Sequence, residues 1–192
     1  TWAGVSDTGR MAVVTNQRGY GLARPDRASR GALVTDMLTG EGAYAAPTLA
    51  TVDDFNPFTL IAVDRHGARL LTNRPTPEAI DLCPGIIGLS NGPFADPWPK
   101  TRQLNAMLAD WLARGDDDPA GLFTALRCET LPHDTPSDAE PSPIFIRDAI
   151  YGTRCSTIVT IDRKGQGMIA ERRYDAEGQQ TGETRIAFAW PL

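Results

Sequence analysis

The sequence predicts an α+β domain built on antiparallel sheets, and three observations predict it. Hairpin signals sit at both ends of the chain, one helical apolar stripe stands near the middle, and strands and helices come in blocks instead of alternating. At 192 residues the chain suits a single domain, 1–192, large enough to bury roughly 70% of its unfolded surface.

The first hairpin pairs Trp2-Ala3-Gly4-Val5 with Met11-Ala12-Val13-Val14 around the turn residues Ser6-Asp7-Thr8-Gly9, and its second strand runs out at Thr15-Asn16. A Gly/Arg/Pro loop follows over 17–27. Ser29 is placed to cap a short helix, "RGALVTDML", whose Leu33, Met37 and Leu38 share one side. "PTLATVDDF" is a second short helical segment. "FTLIAVD" and "ARLLTN" then flank "RHG" as a hairpin, which puts His66 in an exposed turn. A strand is expected over 85–90, ending at Asn91.

Over 100–114 the apolar residues Leu104, Met107, Leu108, Trp111 and Leu112 recur at helical spacing, so this helix is expected to lie on a sheet. "GDDDPAGLFTALRC" starts another helix, with Asp118 as cap and Pro119 in its first turn; the Asp run reads as a solvated helix start. "LPHDTPSDAEPSP" is a polar Pro-rich loop that leaves His133 exposed. The end returns to strands: "CSTIVTID" and "GMIAERRYD" around "RKGQ", then "GETRIAFAWP".

Composition narrows the function classes. A net charge of −5 argues against nucleic acid, because phosphate neutralisation needs a basic face. No apolar run approaches the ~18 residues of a membrane span. The start, "TWAGVSDTGR", lacks a basic stretch followed by an apolar core, so no secretory signal is expected there. Cys83, Cys128 and Cys155 are odd in number and show no metal-type spacing. They read as reduced thiols, which sets the expectation of a cytoplasmic protein without a metal or other cofactor.

The candidate polar residues fall at strand ends and tight turns: Asn16, Ser29-Arg30, Asn91 and Tyr151-Gly152-Thr153-Arg154. An Asn can donate to a developing oxyanion without changing charge, and prolines on either side, as in "GLSNGPFADPWPK", would hold Asn91 rigid. Arg154 offers a planar cationic fork for a carboxylate, a phosphate or a structural partner. Taken singly, Asn91 also reads as a turn starter and Arg154 as a tie for its own loop. Spacing alone does not join them.

The ordered segments "TWAGVSDTGRMAVVTN", "SRGALVTDML", "FNPFTLIAVD", "GLSNGPFADPWPK" and "YGTRCSTIVTIDRKGQGMIAER" resemble the NRDE family, which includes transport-and-Golgi-organisation proteins. The resemblance spans nearly the whole chain. It departs at Ala3, where a bulkier aliphatic is usual, and at Pro57, often Gly. It further implies a preceding segment bearing a Cys after the initiator Met and the Asn-Arg-Asp-Glu motif, neither of which is in this sequence. The chain is therefore expected to be the C-terminal major part of the family domain. Its partner would then be an N-terminal fragment or a second copy, completing a sheet at residues 2–5 or a neighbouring strand.

The family in turn resembles N-terminal-nucleophile hydrolases such as penicillin V acylase and bile salt hydrolase. That likeness implies a four-layer αββα sandwich and an amidohydrolase or acyltransferase acting on small C–N bonds. The Cys thiol attacks a carbonyl, and its α-amine, of pKa near ~8, serves as base. By the same likeness Asn16 and Asn91 form the oxyanion hole and Arg154 lies near the nucleophile. Thr1 would be the nucleophile only if the chain is a processed subunit. Arg30, Tyr151 and Trp98 are the candidate substrate contacts for a small-molecule substrate or ligand. The alternative is a non-enzymatic binding or trafficking protein for haem or for an acyl-lipid or acyl-CoA. With both His in loops, haem ligation through His is the weaker branch.

Overall fold

The computed structural model describes residues 2–115, 118–133 and 142–191. The chain forms two compact units, one of Thr1–Gly85 with Leu89–Asp96 and Ala189–Leu192, the other of Ile86–Gly88 with Pro97–Phe188. Mixed helices and antiparallel sheets make the class α+β.

The first unit is a five-stranded antiparallel sheet in sequential order, β1 (Ala3–Ser6), β2 (Arg10–Asn16), β3 (Phe58–Asp64), β4 (Gly67–Thr72) and β5 (Glu78–Leu82). Alternation along the strands sorts the side chains by face. Ala12 and Val14 of β2, Leu60 of β3 and Leu71 of β4 are buried in one core with Leu33 and Val34 of α1 (Arg30–Thr39). Phe55 and Phe58 join that core edge-to-face at 5.6 Å, and Tyr44 meets Phe55 at 4.6 Å. Each fully buried side chain of this size contributes about 1.5–3 kcal/mol. Helix α1 lies so close on β1 that a Cβ on Gly4 would fall 2.7 Å from Leu38 Cδ1.

Between β3 and β4 the Asp64 carboxylate accepts from the backbone N–H groups of His66 and Gly67 at 2.7 and 3.2 Å, leaving His66 exposed. The expected second helix is a single 3₁₀ turn, Val52–Asp54.

The strand expected over 85–90 is absent, and β5 over Glu78–Leu82 takes the fifth place in the sheet. Pro75, Pro77 and the exposed Glu78 and Asp81 disguise β5, since an edge strand needs only one buried face. The segment Ile86–Gly88 instead crosses α2 (Pro99–Ala113), where a Cβ on Gly88 would fall 2.6 Å from Asn105 Oδ1. That close approach requires glycine.

The second unit holds α2, α3 (Ala120–Leu126) and a sheet of β6 (Cys155–Ile161), β7 (Gln166–Tyr174) and β8 (Gln180–Ala189). Asp118 Oδ1 caps α3 by accepting from Ala120 N–H at 2.9 Å; Asp116 and Asp117 of the same Asp run lie outside the described residues. Phe123 of α3 packs on Ile158 and Ala170. Over its ring, 4.0 Å away, lies the Arg172 guanidinium, which pairs with Glu183 of β8 at 2.7 Å. Helix α2 was expected on a sheet. Its main packing partner is α3, and it is α3 that meets β6. Trp111 is half-buried and donates its indole N–H to Asp118 O at 3.2 Å.

Candidate functional site at the end of strand β2

Strand β2 ends where the chain from 90 to 91 is laid against it. Thr15 Oγ1 donates to Ser90 O at 3.3 Å, the Asn91 side-chain amide donates to the Asn16 carbonyl at 2.9 Å, and Arg18 N–H donates to Asn91 O at 2.8 Å. Asp96 N–H closes a turn on Pro93 O at 3.3 Å just after Asn91, which is itself fixed by both its side chain and its backbone. One N–H of its amide is engaged; the second meets no acceptor among the described residues.

A second set of contacts seats the corner. The Pro57 carbonyl accepts from Gln17 N–H and from the Arg30 guanidinium, each at 3.0 Å. Partial burial pulls the Arg30 pKa down from its ordinary value. Gln17 is buried, and its amide donates to the Thr59 and Thr72 hydroxyls at 2.7 and 3.0 Å. Asn73, fully buried, accepts from Phe58 N–H at 3.0 Å and donates to the carbonyls of Val52 and Phe55 at 3.0 and 3.2 Å. It thereby sets the start of β3, the strand that follows Pro57.

Two buried acceptors here have no donor among the described residues, Asn16 Oδ1 and Gln17 Oε1. Such an orphan costs about 1–3 kcal/mol and asks for an explanation. The corner therefore offers a carbonyl oxygen the spare N–H of a pinned amide with a guanidinium nearby, while its two unmatched oxygens call for a donor such as an N–H or water.

The structure brings Asn16 and Asn91 into direct contact and places Arg30 in the same corner through Pro57. Arg154 belongs to the second unit, where it donates to the carbonyls of Asp148, Ala149 and Asp175 at 3.0, 3.2 and 3.5 Å and so clamps its own loop. Tyr151 sits exposed at the tip of that loop, on an Asp148 carboxylate that accepts from the N–H groups of Ile150 and Tyr151. Trp98, also of the second unit, precedes α2 and carries the Lys100 ammonium 5.4 Å from its ring centre. Thr1 lies outside the described residues. Gln17 and Asn73 were not anticipated; in sequence a buried amide looks like any loop amide.

At the opposite end of the same strands lies an open cleft of about 950 Å³. Ala12, Ala62 and Ala79 line it, with Met37 and Leu38 of α1, and Arg10 and Arg69 are among its polar residues. The small alanines leave the space. Among the described residues no cluster of His, Cys, Asp or Glu could hold a metal ion, and no helix is long and apolar enough to cross a membrane.

Comparison with known proteins gives this geometry a family. The sequence pattern of the family described as Transport and Golgi organisation 2 matches residues 1–176. The chain belongs to that family. A Transport and Golgi organization protein 2 homolog of Bos taurus is 29% identical over 197 residues, covering 90% of this chain and 71% of its own length. The homologs of Mus musculus and Homo sapiens are 27% and 28% identical, covering 90% and 96% of this chain and 71% and 76% of their own lengths. The Transport and Golgi organisation 2 match takes in β1 to β7, the Asn16–Asn91 corner and the Arg154 loop, and ends before β8.

Proposed function

We propose that the Asn16–Asn91 corner binds a small amide or related acyl compound through its carbonyl oxygen, in the manner of an N-terminal-nucleophile hydrolase. The observation that carries this reading is the Asn91 amide, held to the Asn16 carbonyl at 2.9 Å with its second N–H unspent. A donor fixed before the reaction stabilises a developing oxyanion without reorganisation. The nucleophile would be a Cys on a segment preceding Thr1, and the matching fold would be a four-layer αββα sandwich. Supporting that fold, the five-stranded sheet is apolar on both faces: α1 covers the side of Ala12 and Leu60, while Met11, Val13, Ile61 and Leu70 point the other way. A sheet of this kind needs cover on both sides. β1 is also an outer strand, as expected of an edge that receives a further strand from another segment or copy.

The test is release of amine from a panel of small acyl amides by protein carrying an N-terminal Cys, compared with its Asn91→Ala variant. Turnover that depends on Asn91 supports the reading, and turnover indifferent to it removes the corner from the mechanism.

The cleft favours a second reading, a carrier of an apolar or acyl-bearing small molecule. Its alanine floor and methionine and leucine wall suit an apolar chain, and Arg10 suits an anionic end, whereas Arg69 is paired with Asp81 at 3.1 Å. Binding that is lost on filling the floor with Ala62→Phe, with Asn91 dispensable, would favour the carrier.

A further inference from the structure

The loop leaving β2 holds an arrangement that the corner chemistry does not use. Residues 19–23, Gly-Tyr-Gly-Leu-Ala, form an arch whose two feet both stand on the corner. At one foot Arg18 N–H donates to Asn91 O at 2.8 Å. At the other, Arg24 N–H donates to Asn56 Oδ1 at 2.7 Å while the Asn56 amide returns a bond to Arg24 O at 2.9 Å, beside Pro57. An ion pair from Arg24 to Asp26 at 2.6 Å stiffens that foot.

The two glycines of the arch stand in open space. Gly19 and Gly21 take left-handed φ angles of 90° and 83°, and no atom lies within 4 Å of where a Cβ would stand on either. Glycine alone takes such angles freely, and at these two positions no neighbouring atom opposes a change of shape. The arch carries Leu22 into water at 97% exposure and Tyr20 beside it, partly covered at 39%. A lone exposed leucine needs no explanation. Here an apolar pair rides on a pliable arch anchored at both ends to the candidate site, the construction of a loop that closes on a ligand.

We propose that Tyr20 and Leu22 are specificity residues that cover an apolar acyl group when its carbonyl is held at Asn91. The ligand class is thereby an amide with an apolar acyl part. This rests on the corner reading above, and the experiment separates the two. Acetamide and phenylacetamide are titrated into the ¹⁵N-labelled chain, with the Asn91 side-chain amide resonance followed by NMR. Both probes have the carbonyl; only one has an apolar group for the arch to cover.

Phenylacetamide should bind at least about tenfold more tightly than acetamide, the ratio expected from covering part of one ring. The double variant Tyr20→Ala, Leu22→Ser should lose about that tenfold for phenylacetamide and leave acetamide unchanged. Asn91→Ala, followed through neighbouring backbone resonances, should weaken both probes alike. Both substituted loop residues are exposed, so folding is not at risk. Equal affinities in wild type, or a double variant that binds phenylacetamide as well as wild type, overturns the arch while the corner stands. Failure of both probes to bind, or indifference of both to Asn91→Ala, overturns the corner and the arch with it.

Discussion

Replacing Asn73 by alanine should lower the melting temperature by about 10 °C, although the residue touches no candidate ligand position. Its amide satisfies three backbone groups from two other segments: Phe58 N–H at the start of β3, and the carbonyls of Val52 and Phe55 on and after the 3₁₀ turn. All are in a buried setting, with Asn73, Phe58 and Val52 at 0% exposure. An abandoned buried donor or acceptor costs about 1–3 kcal/mol, so three together cost roughly 3–5 kcal/mol once partial relaxation is allowed. For a chain of this length each kcal/mol moves the melting temperature by about 2–4 °C. Asn73→Asp should do no better. It keeps an acceptor for Phe58 N–H but turns a carboxylate oxygen toward two carbonyls. Thermal melts followed by circular dichroism supply the measurement. A loss below about 3 °C would refute the claim that this one amide holds β3 and the 3₁₀ turn in register.

Two further predictions concern the second unit. Glu183, between Arg172 at 2.7 Å and Arg185 at 2.6 Å, has its pKa lowered chiefly by the hydrogen bond from Arg172 and then by that from Arg185. A carboxylate depressed in the folded state adds stability above its unfolded pKa, near ~4.3, and loses it as pH falls through the lower folded value. Glu183→Gln should therefore flatten the acid side of the melting-temperature profile, and an unchanged acid slope would count against the Arg172–Glu183–Arg185 cluster. Cys155 is exposed, yet its thiol pKa is raised, first by partial desolvation from its neighbours and then by the Glu171 charge. Glu171→Gln should speed its alkylation by iodoacetamide at pH 7.5, and an equal or slower rate would show that the carboxylate does not act on it.

The elements with strong local signals were legible. The hairpins around Gly9 and His66 and the helix of the α2 stripe follow from turn chemistry and period and appear in the structure; α1 also begins after Ser29, although the Ser29 side chain makes no capping hydrogen bond. What failed was a competition between two segments. Ile86 and Ile87 are more apolar than the Glu78–Leu82 stretch, yet each is 37% exposed and unpaired in the sheet, while the charged stretch forms β5. Edge strands are chosen by available pairing, which a local window does not see. The family likeness implies one site for Asn16, Asn91 and Arg154; Asn16 and Asn91 meet across 75 positions, and Arg154 belongs to the other unit. Gln17 and Asn73 left no signal, because burial of an amide is a tertiary fact. In "YGTR" the bland reading of Arg154 describes the geometry, a guanidinium tied to the carbonyls of its own loop and of Asp175.

The proposed role of Asn91, donating to a substrate carbonyl, is tested by the effect of Asn91→Ala on kcat and KM separately. The protein must carry the N-terminal Cys, with an acyl amide that the wild type turns over. Loss of one oxyanion donor lowers kcat by about 10²–10³. The account predicts that this fall in kcat exceeds any rise in KM by at least about tenfold, because the donor holds the neutral carbonyl weakly and the developing oxyanion strongly. An unchanged kcat, whatever happens to KM, would contradict it and leave Asn91 as no more than the peg that fastens residues 90–91 to the end of β2.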